Sequence, residues 1–471
     1  MSYDRILFRY AFRHGSNQKL KTMSAKKSKT VKKVKINEFT LVHPNAAGID
    51  ISSKDHVVAV PEDRDDIPVR TFDSFTCDLH KIAEWLKKCR VDTIAIESTG
   101  IYWLQLFLLL QAYGFEVYLV NSKHTKNVTG RKDDESDAQW IQKLHSCGLL
   151  NRSFQPEEDI RALRSLVRHR KNLIHSMSTH TNRIHKALEQ MNIKLGVVIN
   201  DILGKTGKAI LQSIIAGERN PKELAKHRDR RIKASIETVE KSLEGIWREE
   251  HLFELKQSYE LYEYYQEKII ECENEIQKQL EKYVAKSNYG DISELRESAK
   301  KKFKKSELSF DTSVYLKKIM GVDITSIYGI SYTSALEIFA EVGIDMKRWP
   351  TQNHFTSWLN LAPNNKKSGG RIISSKVPKK KSTAGQTFRV AANSLWNSKN
   401  PLGDYFRKIK SRQGHSKAIV ASARKLAIIY YNMLSKKEEF NPKAILEYQA
   451  KYKQMKIKRL KKQLADLEQA A

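Results

Sequence analysis

Strand-like runs stop early in this chain. Short apolar stretches with strand character lie between about Asn37 and Val120, and beyond about Arg161 no convincing strand follows. Such a chain must close one sheet near its beginning and build the remainder from helices. Gly48–Ser52 and His56–Val60 read as paired strands, with Thr71–Phe75 as a third. Leu79–Lys88 has helical apolar spacing. Val91–Ile96 reads as a buried strand, Tyr102–Tyr113 as a helix and Glu116–Val120 as another strand. Strands first, then strand–helix alternation, predict an α/β layer with a mixed sheet.

The helical part carries its own periodicity. Leu255, Tyr262, Ile269, Ile276 and Tyr283 recur at every seventh position, and Tyr265, Cys272 and Leu280 fill the same stripe. That spacing predicts a coiled-coil seam, weakened by Ser258 and Gln279 and hinting at self-association. The aromatic stretch Tyr259–Tyr265 fits seam packing better than base stacking. His175, His180 and His185 are five residues apart, a step of roughly 140° on a helix, so they do not share a metal-binding face.

Residues 285–310 are polar and Lys-rich, an exposed connection. Near Tyr315 a second compact module begins. There Gly321-Val-Asp-Ile and Tyr328-Gly-Ile-Ser-Tyr-Thr-Ser-Ala335 have helix-hairpin-helix spacing, whose Gly turn offers backbone N–H groups to a phosphate. Ile419–Leu434 closes the module. The expected divisions are a basic solvated tail (1–36), the α/β domain (37–200), a helical coiled-coil spacer (201–314), a mostly α-helical C-terminal domain (315–435) and a basic helical tail (436–471). The first tail holds eleven Lys/Arg against Asp4 alone, and Met23 is an alternative start.

Charge narrows the partner. The chain has 84 Lys and Arg against 54 Asp and Glu, a net +30. That excess points to a polyanion, because neutralising phosphates releases condensed counterions. An anionic membrane is the rival. The best candidate span, Ile101–Val120, is broken by Gln105, Gln111, Gly114 and Glu116, so no membrane segment is expected. No signal-peptide pattern opens the chain. Cys77, Cys89, Cys147 and Cys272 form no CxxC pair, which fits a reducing, cytoplasmic setting without structural zinc.

Four carboxylates stand out. Asp50 sits between Ile49 and Ile51 on a core strand, where an acid is costly unless paired or metal-bound. Glu97 ends the apolar run Thr93–Ile96, at the strand end where α/β ligand sites gather. Asp134 and Asp137, three apart before Ala138-Gln-Trp140, would share a helix face. Alternatively they are helix N-terminal charges. Hard oxygen ligands suit Mg²⁺, or Mn²⁺, and grouped acids can hold the two ions that serve attacking and leaving oxygens in phosphoryl transfer.

A serine occupies the other candidate site. Ser368 lies in Ala362-Pro-Asn-Asn-Lys-Lys-Ser-Gly-Gly-Arg371, which reads as a flexible cationic loop. A hydroxyl is a weak nucleophile and needs activation. Lys366, Lys367 and Arg371 could hold a phosphate while the glycines allow close approach. No His–Asp pattern lies nearby, and Ser374, Ser375 and Ser382 compete with Ser368.

Both blocks resemble one family. Glu97-Ser-Thr-Gly-Ile-Tyr-Trp103, Gly114-Phe-Glu-Val, Val120-Asn121 and Gly130-Arg-Lys-Asp-Asp-Glu-Ser-Asp-Ala-Gln-Trp140 resemble the N-terminal half of DEDD-type insertion-sequence transposases, the insertion-sequence 110 family. Phe355-Thr-Ser-Trp-Leu-Asn-Leu-Ala-Pro363, Ser368-Gly-Gly, Arg389-Val-Ala-Ala-Asn393 and Leu402-Gly-Asp-Tyr-Phe-Arg407 resemble its C-terminal transposase domain. The resemblance spans roughly residues 40–435. It implies an RNase H/RuvC-like catalytic domain over 37–200, with Asp50, Glu97, Asp134 and Asp137 as metal ligands. Lys132-Asp133-Asp134 stands where Lys-Thr-Asp is usual, so Asp133 competes with Asp134.

The resemblance further implies a nucleophilic serine, Ser368, that forms a phosphoserine link to DNA. It implies a noncoding bridge RNA that selects donor and target DNA, and a homo-oligomer, dimer or tetramer, whose subunits share sites. Lys132, Lys366, Lys367, Arg371, Arg389 and Arg407 are the expected nucleic-acid contacts, and a prokaryotic, nucleoid-associated setting follows. A RuvC-like structure-specific nuclease such as a junction resolvase, with Ser368 incidental, is the alternative reading. A non-catalytic nucleic-acid-binding scaffold is the third.

Overall fold

In the computed structural model, residues 40–121, 136–286, 307–378 and 382–442 are described, with Gln454 and Ile457 beyond them. The expected first basic tail, most of the second and most of the Lys-rich connection lie outside these residues. Two compact units form, one ending at Phe154 and one starting at Gln155.

The first unit holds a five-stranded sheet. Its strands are β1 (Ala46–Ile51), β2 (Asp55–Ala59), β3 (Val69–Asp73), β4 (Thr93–Glu97) and β5 (Glu116–Val120). They lie in the order β3-β2-β1-β4-β5. Pairings β1–β2 and β2–β3 are antiparallel, whereas β1–β4 and β4–β5 are parallel. This mixed sheet is consistent with an RNase H-like fold. Helices α1 (Thr76–Lys88), α2 (Trp103–Ala112) and α3 (Asp137–Ser146) complete the layer. The apolar stretch Ile101–Val120 is a helix and a strand joined at Gly114, whose φ is +88°. No helix among the described residues is long and apolar enough to cross a membrane.

Alternation along the strands divides the two faces. Ile49, Ile51, Val58, Ile94, Ile96, Val117 and Leu119 pack against α1 and α2 through Ile82, Leu86, Phe107 and Leu110. On the opposite face Ala95 and Val120 meet Trp140, Ile141 and Leu144 of α3. Asp50 points to this second face, because it alternates with Ile49 and Ile51.

Helix α3 crosses β1 in unusually close contact. A Cβ placed on Gly48 would lie 2.3 Å from the Gln142 amide nitrogen and 2.4 Å from the Ala138 carbonyl oxygen. Glycine in a strand interior forfeits packing, and here it permits helix backbone to rest on strand backbone. Two polar ties secure the crossing. Gln142 Nε2 donates to the Ala46 carbonyl at 3.3 Å, and His145 Nε2 lies 2.9 Å from Thr93 Oγ1. Burial, with a smaller effect from His43, pushes the His145 imidazole down to about 4.

The second unit is mostly helical. Helix α4 (Glu158–Gln190) lies against α5 (Glu249–Lys286). Lys286 meets Asp159 at 2.7 Å, Arg170 meets Glu273 at 2.7 Å, His180 stacks on Tyr265, and Lys186 meets Glu254 at 3.6 Å. Partners rise along one helix as they fall along the other, so the pair is antiparallel. The heptad stripe is buried as expected: Leu255, Tyr262, Ile269, Ile276 and Tyr283 are all inside. Its cover, however, includes a helix of the same chain, so the stripe is not by itself a sign of self-association. Tyr259 and Tyr262 are packed in the core and are not free to stack on bases. Among the three spaced histidines only His180 is buried, in keeping with their separate faces.

The remaining helices are α6 (Thr312–Met320), α7 (Tyr332–Val342), α8 (Gln352–Trp358), α9 (Thr383–Ser394), α10 (Pro401–Gln413) and α11 (His415–Lys436). Arg168 grips the Glu341 carboxylate through two bonds, at 2.7 and 2.9 Å, and Arg164 donates to the Ala340 and Glu341 carbonyls. These bonds tie α7 to α4. The glycine turn expected between α6 and α7 is present, with Gly321 at φ +71° and Gly329 at φ +88°. Gly329 is packed against the Ala391 carbonyl, so that part of the turn faces protein. Between α8 and α9 two short strands, β6 (Lys366–Ser368) and β7 (Arg371–Ser374), pair antiparallel.

Candidate active site

Three of the four expected carboxylates converge at one edge of the sheet. The β1–β4 register pairs Gly48 with Ala95 and Ile49 with Ile96, which sets Asp50 beside Glu97 on the α3 face. Asp137 is the first residue of α3, and a capping box fixes that start. The Ser136 hydroxyl accepts from the Gln139 amide at 3.2 Å, and the Gln139 side-chain oxygen accepts from the Ser136 amide at 3.1 Å. The close crossing at Gly48 then carries the Asp137 end of the helix toward Asp50. Ser136-Asp-Ala-Gln139 has the capping-box spacing, so this signal was readable in the sequence.

The electrostatics agree with that proximity. Asp50 is half-buried, and its carboxyl is raised above the usual range. Burial is the main cause, followed by the carboxylates of Asp137 and Glu97. A backbone bond at Ile51 opposes the shift. Asp55 adds a smaller push from the adjacent strand, with its carboxylate held 2.5 Å from the Ser52 hydroxyl. Sequence reasoning missed Asp55 and Gly48. Alternation with Val57, which pairs with Asp50, and a lone glycine inside a strand were the available signals.

Lys132, Asp133 and Asp134 lie outside the described residues. Among the described residues, no group of three or more His, Cys, Asp or Glu stands as a metal site. The donor set nevertheless suits a hard divalent cation, since carboxylates that repel one another are relieved by one. All four cysteines are free, and three are buried.

The serine segment differs from the expected flexible loop. It is a β-hairpin in which Ser368 pairs with Arg371 across Gly369 and Gly370, at φ +53° and +77°. Two consecutive positive φ angles make the tight turn that suits hairpin twist and favours glycine. Ser368 is exposed, and no hydrogen bond with a described residue engages its hydroxyl. Of its competitors, Ser382 is engaged in structure: its hydroxyl caps α9 at the Gly385 amide and donates to the Leu359 carbonyl, both at 3.0 Å. Ser374 accepts from the Lys376 amide at 3.4 Å, and Ser375 is exposed.

The expected cationic contacts separate into two groups. Lys366, Lys367 and Arg371 are exposed on the hairpin. Arg389 is buried instead and donates to the Asn360 carbonyl at 2.6 Å, bracing the root of the hairpin. Burial lowers the affinity of its guanidinium for a proton. Arg407 is likewise engaged within the fold, with bonds to the Trp396 and Ser398 carbonyls and to Asp404. Arg389 is therefore not displayed for a phosphate in this arrangement, whereas part of the Arg407 side chain stays exposed.

Two family models match the chain. Residues 47–193 match a transposase model of the DEDD IS110 type, and residues 323–406 match the transposase IS116/IS110/IS902 family. The first covers Asp50, Glu97 and Asp137, and the second covers the hairpin. No curated protein matches. The chain therefore carries two IS110-family transposase domains and is an enzyme acting on DNA in transposition or recombination. A DEDD-type domain implies dependence on a divalent metal.

Proposed function

We propose that these two transposase domains cut and rejoin DNA strands for insertion-sequence mobility by combining the carboxylate edge with Ser368. The observation that carries this reading is the convergence of Asp50, Glu97 and Asp137 on one sheet face, with Asp50 raised by burial and, after it, by these acidic neighbours. Asp50, Glu97, Asp134 and Asp137 would hold Mg²⁺, or Mn²⁺. A bound metal supplies Lewis-acid stabilisation of charge at the phosphodiester.

The chain's own residues do the rest. Lys366, Lys367 and Arg371 hold DNA phosphates beside Ser368, with Lys132 as a further contact. The Ser368 Oγ–P bond forms as the P–O bond to the sugar breaks. The proton lost by the serine is returned to the departing sugar oxygen. Ester energy is retained in the phosphoserine, so a sugar hydroxyl can reverse the step and rejoin a strand. A noncoding bridge RNA selects donor and target DNA, and a homo-oligomer, dimer or tetramer, brings carboxylates and serine together from different subunits. Residues 201–314, which include α5, serve as the helical spacer.

The test is adduct trapping with the element's end DNA, its adjoining noncoding RNA and Mg²⁺. A covalent protein–DNA species lost in both Ser368→Ala and Asp50→Ala is the expected result. Metal-dependent cleavage that survives Ser368→Ala would replace this reading with a junction-type nuclease.

A further inference from the structure

The hairpin carries more than a nucleophile and cations. Every residue from Pro363 to Ile373 is exposed, and the Asn364 amide bonds to the Lys376 carbonyl at 3.2 Å to close the arm at its root. Between Pro363 and Ser382 the chain has seven Lys or Arg and no Asp or Glu. No ion pair with a described residue engages Lys366, Lys367, Arg371 or Lys376.

On this cationic ribbon two isoleucines stand in the open. Ile372 is 57% exposed and Ile373 is 70% exposed. Lys367 pairs with Ile372 and Lys366 with Ser374, so Ile373 is the extra residue of a β-bulge. Bulges re-aim a side chain and are found beside active sites. Two adjacent isoleucines left largely in water are apolar surface that a partner would favourably cover. Whatever covers them must also tolerate the density of positive charge. Duplex DNA offers both properties, with phosphates outside and an apolar base stack within.

We infer that the β6–β7 arm enters a DNA groove and that Ile372 and Ile373 wedge against a base step beside the phosphate attacked by Ser368. Two-stranded ribbons enter the minor as well as the major groove, and apolar side chains inserted from the minor groove unstack a base step. Lys366, Lys367 and Arg371 set the register through phosphates while the isoleucines do the unstacking. Ser368 pairs with Arg371, the residue before Ile372, so wedge and nucleophile share one hairpin. The inference rests on the Ser368 reading for its purpose, although unstacking itself does not need the serine.

The test uses the full-length chain with its noncoding RNA and end-sequence duplexes carrying 2-aminopurine at successive positions. Fluorescence reports unstacking, read in a Ser368→Ala background. A rise at one base step is expected, and Ile372→Ser/Ile373→Ser should return it to the level of free DNA, with the melting temperature unchanged. Ile372→Leu/Ile373→Leu should keep it. Fluorescence that stays high with Ile372→Ser/Ile373→Ser overturns the wedge, even if the same two substitutions in a chain that keeps Ser368 leave adduct formation normal. Loss of oligomer mass in that variant without DNA, with fluorescence unchanged, also overturns it and assigns the isoleucines to a protein contact. Unstacking without any Ser368 adduct in the wild type leaves the wedge standing and removes the serine reading.

Discussion

The carboxylate edge and the serine arm meet opposite physical demands. At the edge, Asp50 is half-buried between isoleucines and is held near Asp137 by a helix resting directly on Gly48. The mutual repulsion of those acids is sustained by the packed core around them. In the arm every residue from Asn364 to Arg371 is exposed, and a Cβ added at either turn glycine would meet nothing within 4 Å. The first region stores unfavourable charge in a rigid frame. The second presents favourable charge on a small, sharply folded ribbon. Substitutions should therefore disturb them in different currencies: stability and metal response at the edge, nucleic-acid contact at the arm.

The largest expected effect tests whether both regions are needed. Asp50→Asn and Ser368→Ala should each lower strand transfer by about 10³-fold or more, since removing several kcal/mol of transition-state stabilisation has that consequence. Nicking assays on end DNA check this. Retained activity in either variant breaks the pairing of the two regions.

Next comes the same substitution made in both places. Gly48→Ala should cost at least about 3 kcal/mol, the upper end for overpacking, because the new methyl meets backbone and not a movable side chain. Gly370→Ala should cost only about 1–2 kcal/mol, for left-handed φ in open space. Chemical denaturation measures both. Equal costs would contradict the close helix crossing.

A smaller effect concerns pH. The folded Asp50 carboxyl is raised above the ordinary value of 3.8, so its contribution to stability is fully present below that value. It is lost as pH rises through the folded value. At neutral pH, Asp50→Asn should therefore raise the metal-free melting temperature, by on the order of a few degrees. The stabilisation given by Mg²⁺ should be absent in that variant, and in the wild type it should fade on acidification as protons compete. A metal-free variant that melts lower than the wild type would contradict the repulsive cluster. Finally, Lys366→Ala or Lys367→Ala should each reduce the salt-dependence slope of DNA binding by about 0.9 while leaving stability unchanged.

Much of the fold was legible because periodicity reports burial. The strand Glu116–Val120 was read with its observed bounds, and the others lie within a few residues of those expected. Buried stripes do not identify their cover, however. The heptad run looked like a surface for another chain, whereas α4 lies against it from within. Asp50 and Glu97 could be read as acids on apolar strands, since that cost is local. The role of Gly48 could not, because the helix that rests on it arrives from about ninety residues further along the chain.

The hairpin was mistaken for a loop because its strands are polar, exposed and too short to alternate, although Gly369-Gly370 is a hairpin signal. Arg389 reads as a surface cation for a related reason. An arginine that braces carbonyls has the same letter as one that meets phosphate, and only tertiary packing separates them.

The account depends most on which atom becomes joined to DNA. Mass spectrometry of the trapped protein–DNA species, after nuclease trimming, identifies that residue directly. A nucleotide phosphate on Ser368, formed only with divalent metal and absent from Asp50→Asn, is the predicted result. A phosphate on Ser374, Ser375 or a tyrosine, or efficient cleavage with no linked residue, would contradict it.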